Sequence, residues 1–300
     1  MDGILDRVVV TGGTGLLGRA LSKVLPGKYL SSKDFDLTNQ ESVVSLFEET
    51  NPMTVVHLAA KVGGILDNIE NPYDFLFENV QINSNVIEGC RKFGVKRLIC
   101  VLSTCSFPDV CESYPINLKN FHLGPPAKSN FSYGYAKRVA AVQIDACNYQ
   151  YGTNYQYLVP CNLYGPGDLI DPKKSHFITS LLYKIKKARE NNEKSITLMG
   201  DGSPLRQFLL SDDLAGLIKL SLEKQIYDNF CVGAENLSIK EMAEIALQVC
   251  DSSDLSIFWD KSKPNGQYRK DVSNEDVEKL FPEWRQTSFR EGLKLTFDKL

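Results

Sequence analysis

The 300-residue sequence contains few of the residues that build metal sites or disulfide frameworks. Its eight cysteines form no CxxC pair, and only three histidines are present. Structural zinc sites use closely spaced cysteines and histidines, and disulfide-stabilised domains are short and rich in cysteine. The sequence therefore predicts neither a metal site nor a disulfide framework, and most of the cysteines are expected to be small, reduced core side chains.

Long apolar runs and clusters of positive charge are also missing. No apolar run reaches the roughly 18 residues that a membrane-spanning helix needs. The first ten residues, MDGILDRVVV, enter a strand pattern without the layout of a signal peptide. The formal net charge is -3 and there is no basic tail, which argues against a general affinity for nucleic acid or anionic membranes. We therefore expect a soluble, cytoplasmic protein.

What the sequence does contain is an alternation of short β-branched runs with longer helical patterns. Four runs read as strands: RVVVT (7–11), MTVVHLA (53–59), RLICVLS (97–103) and YQYLVP (155–160). Strands separated by helices predict βαβ units, and therefore a parallel sheet with helices on both faces.

Helix positions are indicated by apolar spacing and by capping boxes. Long helices are predicted at 73–92 and 133–151, a helix with the basic run KIKKAR at roughly 175–190, and a late strand at SIFW (256–259). Three further helix starts carry the S/T-x-x-E pattern: Thr38 with Glu41, Ser238 with Glu241, and Ser288 with Glu291.

VVVTGGTGLLG (8–18) combines a strand, a glycine-rich turn and the start of a helix. Glycines allow a sharp turn, close approach of a pyrophosphate and tight packing of helix on strand. The helix N-terminus presents free amides and a positive dipole to phosphates. Two frames fit, Gly13-x-Gly15-x-x-Gly18 and Gly12-x-x-Gly15-x-x-Gly18. Following the first strand of a βαβ series, this turn predicts dinucleotide binding.

These features predict an α/β fold: a Rossmann-type, doubly wound parallel sheet with a smaller, mixed α/β C-terminal substrate domain. The rhythm of the sequence changes after NLYGPGD (162–168), where proline and glycine cluster. We therefore predict an NADP-binding domain at 1–165 and a mainly substrate-binding domain at 166–300. The chain is expected to return to the first domain near 206–235 and 263–275.

The segment YLSSKDFDLT indicates which dinucleotide is bound. An acidic residue normally follows the second strand and binds the ribose 2′-hydroxyl of NAD. Here Ser31, Ser32 and Lys33 come before the first acid, Asp34. A lysine and two hydroxyls suit a 2′-phosphate, so NADP(H) is the expected cofactor. The alternative for Lys33 is a solvated loop charge.

SYGYAKR (132–138) places Tyr133 and Lys137 at i and i+4, on one face of a helix. A free tyrosine has a pKa of about 10, and a nearby lysine cation is expected to favour the phenolate. Such a pair can donate a proton to a carbonyl that is being reduced. The motif alone is common by chance, and Tyr135 in the same helix lacks the four-residue spacing.

Together with the glycine-rich turn and Ser103 after a later strand, this pair resembles the extended short-chain dehydrogenase/reductase family, over nearly the whole chain. The resemblance implies that Ser103, Tyr133 and Lys137 are catalytic, and that the protein is a homodimer through helices 73–92 and 133–151. It implies that the cofactor contacts Gly12, Gly13, Thr14, Gly15, Leu16, Leu17, Gly18, Ser32, Lys33, Asp36, Leu37, Leu58, Ala59, Ala60, Tyr133, Lys137, Pro160, Asn162 and Leu163.

The stretches LSTCSFPD, PCNLYGPGD, SHFITSLL, GDGSPLRQFL and SKPNGQYRK are similar to one branch of that family. That branch inverts two centres of the nucleotide-sugar GDP-4-keto-6-deoxy-D-mannose and then reduces its ketone with NADPH. The resemblance implies that Cys105 and His176 exchange the protons, and that the substrate contacts Asn162, His176, Lys184, Arg206 and Lys263. The chain departs from the branch at Gly167, Leu169 and Met199.

Two other interpretations stay open at this point. The chain resembles related nucleotide-sugar epimerases and reductases of the same family, in which Cys105 would matter little. A non-catalytic dinucleotide-binding sensor is the second alternative, although such proteins usually lose the tyrosine or the lysine and this sequence has both.

Overall fold

The computed structural model describes residue 3 and residues 5–170 and 176–300. Its main sheet has six strands in the order β2-β1-β3-β4-β5-β9, and every neighbouring pair is parallel. The bounds are β1 Val8–Thr11, β2 Lys28–Leu30, β3 Thr54–His57, β4 Arg97–Val101, β5 Tyr155–Pro160 and β9 Phe230–Val232. All four predicted strands are confirmed.

The β-branched runs form this sheet because both of its faces are covered. Every residue of β1, β3, β4 and β5 is buried, which is the pattern of a parallel sheet between helical layers. The helices around it are α1 Leu16–Ser22, α2 Gln40–Thr50, α3 Ile65–Glu70, α4 Pro72–Lys92, α5 Phe131–Tyr151, α7 Ser211–Glu223 and α9 Glu275–Leu280. The predicted Rossmann-type α/β fold is confirmed.

A second, smaller hydrophobic core forms in the C-terminal half. Its helices are α6 Phe177–Glu190, α8 Ile239–Val249 and α10 Phe289–Phe297. Strands β6 Asn162–Tyr164, β8 Leu205–Leu210 and β10 Asn236–Ser238 form one small sheet, and β7 Ser195–Met199 pairs with β11 Ser256–Asp260 in another. The strand predicted at 256–259 is therefore confirmed.

The chain returns to the larger core after β8. Helix α7 packs against α1, strand β9 adds to the edge of the main sheet, and Val272 forms a bridge with Ile116. The larger core accordingly includes Phe230, Val272 and Phe281. The position of a domain boundary at 165/166 stays a prediction.

The capping box predicted at Thr38 is wrong. Asn39 caps α2 instead, since its side-chain oxygen accepts hydrogen bonds from the backbone N–H groups of Glu41 at 2.8 Å and Ser42 at 3.2 Å. The Thr38 hydroxyl donates to Asp36 Oδ1 at 2.6 Å. An asparagine is as good a cap as a threonine, so the pattern alone could not choose between adjacent positions.

The other two predicted helix starts are confirmed. Ser238 and Glu241 form a reciprocal capping box at α8, and the Ser288 side chain accepts from the Glu291 N–H at the start of α10. Within residues 5–170 and 176–300, no helix combines the length and apolarity needed to cross a membrane.

Candidate active site

A cleft of about 1170 Å³ opens where the order of the main sheet reverses. The chain runs from β1 outward to β2 and then crosses back past β1 to β3, and ligands of such sheets bind at the carboxyl ends of the strands at this point. The walls come from the glycine-rich turn, the segments that follow β2, β3 and β4, the start of α5, and residues 160–170 with His176.

Most of the predicted cofactor-binding and catalytic residues line this cleft. They are Gly12, Thr14, Gly15, Leu16, Leu17, Gly18, Ser32, Asp36, Leu37, Leu58, Ala59, Ala60, Ser103, Cys105, Tyr133, Lys137, Pro160, Asn162, Leu163 and His176. The predicted residues outside its wall are Gly13, Lys33, Lys184, Arg206 and Lys263.

A side chain would be unfavourable at each glycine of the turn, for a different reason at each position. Gly12 has φ +73, and a Cβ there would lie 2.7 Å from the Ala59 nitrogen. A Cβ at Gly18 would lie 2.5 Å from the carbonyl oxygens of both Gly12 and Gly13, so a side chain there would push the helix off the turn. At Gly15 a Cβ would meet only the Gly12 oxygen, at 3.2 Å, and a side chain would extend into the cleft. This wall therefore fits a dinucleotide pyrophosphate.

Gly13 lies behind this wall rather than in it. Its N–H donates to the Leu30 carbonyl at 2.8 Å, and a Cβ would lie 2.7 Å from that of Tyr29. The residue lets the turn approach strand β2, so its contribution is to packing.

The segment after β2 brings hydroxyl groups to the cleft. Ser31 and Ser32 line the wall, whereas Lys33 is exposed outside it. The Asp34 carboxylate accepts hydrogen bonds from the N–H and the hydroxyl of Ser31, each at 2.7 Å, and these bonds lower the pKa of Asp34. The two serines predicted for the 2′-phosphate are therefore at the cleft, and the lysine is not.

The predicted Ser–Tyr–Lys set meets at the end of β4. Ser103 follows that strand and caps a short 3-10 turn, Thr104–Ser106. Tyr133 and Lys137 lie one turn apart on α5, with Lys137 Nζ 5.9 Å from the centre of the Tyr133 ring. Lys137 is 2% exposed and donates to the Val101 carbonyl at 2.9 Å. Helix α5 thus fixes both groups against the strand that carries the serine.

The surroundings of Tyr133 shift its pKa. Burial raises its pKa well above the usual value of about 10, and neighbouring Cys105 and Cys100 raise it further. The expectation that Lys137 favours the phenolate stays a prediction. Burial also lowers the pKa of Lys137 itself. A raised pKa favours the neutral phenol at position 133, a form suited to donating a proton.

Cys105 lies in the cleft wall and not in the core. Six of the eight cysteines are buried, but Cys105 is partly exposed, and so is Cys111. The Asn130 side-chain amide donates to Cys105 Sγ at 3.0 Å, and Lys270 Nζ lies 3.8 Å from the same sulfur. An amide donor and a cation are thus placed where they can stabilise negative charge on the sulfur.

Sequence reasoning did not predict Asn130 or Lys270 at the site. Asn130 immediately precedes α5 and so had the sequence signal of a helix cap, yet its side chain makes no capping bond. Lys270 ends the stretch SKPNGQYRK, in which only Lys263 was singled out. The sequence does not predict that either residue lies beside Cys105. Lys270, for example, is 165 residues away from it along the chain.

His176 precedes the first turn of α6 and lines the cleft wall. Its side chain is 49% exposed, and Nδ1 lies 3.2 Å from Asp168 Oδ2. The hydrogen bond with Asp168 raises the pKa of His176, and partial burial opposes this rise. The carboxylate therefore favours the imidazolium form.

The cations predicted for the substrate lie around the small sheets. Lys184 Nζ donates to the Thr197 carbonyl on β7 at 2.8 Å, and Arg206 Nη1 donates to the Leu205 carbonyl on β8 at 2.7 Å. Burial lowers the pKa of Arg206, and its proximity to Cys105 partly offsets that effect. Lys263 is exposed in the segment after β11. Of the three cations predicted for the substrate, Arg206 is the one whose pKa is influenced by Cys105.

Among the described residues, no group of three or more histidine, cysteine, aspartate or glutamate side chains is arranged to hold a metal ion. The cleft instead combines a phosphate-binding turn with a serine, a tyrosine and a lysine. This combination defines a dinucleotide-dependent site of the short-chain dehydrogenase type.

The chain belongs to the NAD dependent epimerase/dehydratase family, whose model matches residues 8–233. It is 37% identical over 306 residues to a probable GDP-L-fucose synthase from Drosophila melanogaster, covering 96% of this chain and 95% of that protein. It is 38% identical over 301 residues to GDP-L-fucose synthase from Dictyostelium discoideum, covering 96% and 92%. These similarities confirm the family predicted from the motifs.

A solved structure is also similar. The crystal structure of a GDP-L-fucose synthetase from Naegleria fowleri bound to NADP matches with a TM-score of 0.88 and 33% identity, covering 98% of this chain and 92% of that one.

Proposed function

We propose that the protein is an NADPH-dependent enzyme that inverts C3 and C5 of GDP-4-keto-6-deoxy-D-mannose and reduces C4, which yields GDP-L-fucose. One observation carries this proposal: Cys105 and His176 line the same cleft as Ser103, Tyr133 and Lys137. The first two side chains can exchange protons with carbon, and the other three can assist reduction of a carbonyl. The names of the relatives from Drosophila and Dictyostelium support this substrate.

The epimerisation uses the acidity that the 4-keto group gives to its neighbouring carbons. Cys105, as a thiolate, takes the proton from one face of the ring carbon, and the electron pair moves to O4 as an enolate. His176, as an imidazolium, returns a proton to the opposite face, which inverts the centre. The cysteine is then a thiol and the histidine neutral, and water carries the proton back before the second inversion.

The reduction follows in the same cleft. NADPH, when bound, supplies the hydride that C4 receives. Tyr133 donates its phenolic proton to O4, and Ser103 donates a hydrogen bond to the same oxygen. Lys137, held by the Val101 carbonyl, stabilises the phenolate that Tyr133 becomes. Burial favours the neutral phenol before the step, which suits the direction of reduction.

The cofactor is proposed to be NADP(H). Backbone amides of the turn around Gly15 would hold the pyrophosphate, and Ser31 and Ser32 would meet the 2′-phosphate. The NADP bound to the Naegleria fowleri protein supports this choice. Lys33 remains a candidate contact to the 2′-phosphate from outside the cleft wall.

The nucleotide end of the substrate is proposed to lie toward the small sheets. Asn162 would contact the sugar from the cleft wall, where its amide donates to the Gln207 carbonyl at 3.1 Å. Arg206, Lys184 and Lys263 would neutralise the diphosphate. These three cations lie around β7, β8 and residues 261–270. Arg206 lies near Cys105, which supports this arrangement.

We also propose a cytoplasmic homodimer. Helices α4 and α5 pack against each other, and their outer faces expose apolar side chains: Tyr73 at 70%, Phe77 at 47% and Val142 at 50%. Such a face is expected to be covered by a second copy. All eight cysteines are unpaired, which supports a reducing compartment.

The decisive assay mixes the purified protein with GDP-4-keto-6-deoxy-D-mannose and NADPH. We expect loss of reduced nicotinamide matched by formation of GDP-L-fucose, identified by chromatography and by proton NMR of the sugar. Tyr133→Phe serves as the matched control, because it keeps the ring in the cleft but removes the phenolic proton.

Two outcomes would contradict the proposal. If NADPH is not oxidised and no new sugar forms, the proposed reaction is excluded. A reduced product with unchanged configuration at C3 and C5 would identify a reductase without epimerase activity.

A further inference from the structure

Asp168 is a buried carboxylate on the loop between β6 and α6. Its side chain is 5% exposed. Oδ2 accepts a hydrogen bond from the Thr179 hydroxyl at 2.6 Å, and Oδ1 accepts from the Leu169 N–H at 2.9 Å. Taking a carboxylate out of water is unfavourable unless donors or a positive charge compensate it. These two donors hold the carboxylate, and it has a third hydrogen-bond partner.

The third partner is the imidazole of His176. Its Nδ1 lies 3.2 Å from Asp168 Oδ2 and 3.4 Å from Oδ1. A carboxylate only accepts hydrogen bonds, so Nδ1 carries the proton of this contact. Nε2 is then the nitrogen left to serve the cleft that His176 lines. The pairing thus selects both the ring orientation and the tautomer.

We propose that Asp168 is the positioning residue of the epimerisation, holding His176 so that Nε2 carries the proton delivered to the sugar ring. The inference rests on the proposed function and deepens it, because nothing in the motifs assigned a role to this aspartate. Asp168 acts through His176 and does not itself meet the substrate.

The charges agree with this arrangement. Burial acts to raise the pKa of Asp168, but the hydrogen bond and the charge of His176, together with Thr179 and Leu169, outweigh it, and the pKa is lowered. The hydrogen bond with Asp168 raises the pKa of His176. The other titratable side chains lining the cleft are Arg19, Asp36, Lys61, Glu78, Cys105, Tyr133, Lys137 and Cys161. Among the described residues, Asp168 is the one carboxylate that pairs with a histidine.

The loop that carries Asp168 is tied to the phosphate-binding turn. The Arg19 guanidinium donates to the carbonyl oxygens of both Thr14 and Gly167. Gly167 precedes Asp168 directly and has φ +83, a left-handed conformation that favours glycine. Asp168 is therefore held from two sides. Arg19 bonds to the carbonyl of the preceding residue, Gly167, and Thr179 bonds to the Asp168 carboxylate.

The first test measures the histidine itself. Asp168→Asn keeps the shape of the side chain but removes its charge. The protein has three histidines, and His57 is buried with its pKa lowered to about 3, so its signal does not titrate near neutral pH. Imidazole NMR of tag-free protein can then follow His176. His122→Gln assigns the remaining two signals. We expect His176 to titrate above about 6.5 in the unmodified protein, and at or below that value in Asp168→Asn.

The second test measures proton exchange on the sugar. With substrate but without NADPH, deuterium from solvent should enter C3 and C5. We expect Asp168→Asn to slow this exchange about 100-fold, near the lower end of what acid–base catalysis contributes, while the KM for the substrate changes little. Thr179→Val should cause a smaller loss, because the carboxylate keeps its charge but loses one anchor. Asp212→Asn, which removes an exposed partner of Lys23, is the matched control and should exchange normally.

The outcomes separate this inference from the proposed function. A His176 that titrates at its ordinary value in the unmodified protein, or one whose titration is the same in folded Asp168→Asn, overturns the positioning role. Normal exchange in Asp168→Asn overturns it as well. If Asp168→Asn does not fold, Thr179→Val decides: an unshifted His176 and normal exchange contradict the inference. If the unmodified protein converts no substrate at all, the proposed function fails, while the titration still decides whether Asp168 sets the state of His176.

Discussion

The environment of Cys105 is decided by how the chain leaves strand β4. Cys100 lies within the strand and is fully buried. Ser103 is still extended, but the 3-10 turn that follows carries Cys105 out of the line of the strand and into the cleft wall. The Ser103 hydroxyl accepts the Cys105 N–H at 3.2 Å and fixes this turn. One local hydrogen bond therefore joins the Ser103 side chain to the backbone that carries Cys105.

Cys105→Ser should separate inversion from reduction. A serine hydroxyl is a far weaker carbon base than a thiolate, so we expect deuterium exchange at C3 and C5 to fall by about 100-fold or more. Some direct reduction of C4 should survive, because Ser103, Tyr133 and Lys137 are unchanged. NMR of the sugar products distinguishes these outcomes. Cys111→Ser is the matched control, and formation of GDP-L-fucose at the normal rate by Cys105→Ser would show that the cysteine is not the base.

At the scale of elements, the sequence predicted helices and strands best where the hydrophobic pattern matches the burial found in the structure. The four strands of β-branched residues and the long helices α4 and α5 lie where they were predicted. Helix starts were less certain, because adjacent polar residues compete to cap them. At α2 the competition between Thr38 and Asn39 was decided in favour of Asn39, and Thr38 bonds to Asp36 instead.

The cap of α2 gives a prediction at this scale. Asn39→Ala removes an acceptor that satisfies two backbone N–H groups, and we expect it to lower the free energy of unfolding by about 0.5–2 kcal/mol. Thr38→Ala, which removes an exposed hydroxyl, should change it by less than about 0.5 kcal/mol. Urea unfolding followed by circular dichroism measures both. Equal losses in the two variants would contradict the assignment of the cap.

At the scale of the whole molecule, the larger and smaller cores meet around one cleft. Residues far apart in sequence converge there: His176 comes from the start of α6, Lys270 from the segment after β11, and Cys105 from the end of β4. The outer faces of α4 and α5 remain apolar and exposed. The single chain therefore leaves apolar side chains of α4 and α5 exposed.

The proposed homodimer can be tested on that surface. Val142 on α5 is 50% exposed, and Val142→Glu would place a charge in the proposed interface, where desolvation is costly. We expect light scattering to show a dimer for the unmodified protein and a shift toward monomer for this variant. Leu295→Glu, at a residue of α10 that is 46% exposed, should leave the dimer intact. A monomeric unmodified protein would contradict the proposal.

Part of the site was predictable because its residues are adjacent in sequence. The turn at 8–18, Tyr133 with Lys137, and Ser103 with Cys105 each lie within a few positions along the chain. Asn130 and Lys270 beside Cys105 were not predictable, because hydrogen bonds over such separations depend on how the layers pack. The raised pKa of Tyr133 was not predictable either, since it arises mainly from burial.

The sequence by itself determined the parallel α/β sheet, the dinucleotide turn and the tyrosine–lysine pair, and the other candidate catalytic side chains came from a family resemblance. It could do so because strand and helix periodicity, glycine geometry and i,i+4 spacing are local properties of the chain. Only the tertiary structure decided which groups surround Cys105, that burial raises the pKa of Tyr133, and that Asp168 pairs with His176. Hydrogen bonds between distant segments and the cost of burying charge arise only once the chain is packed.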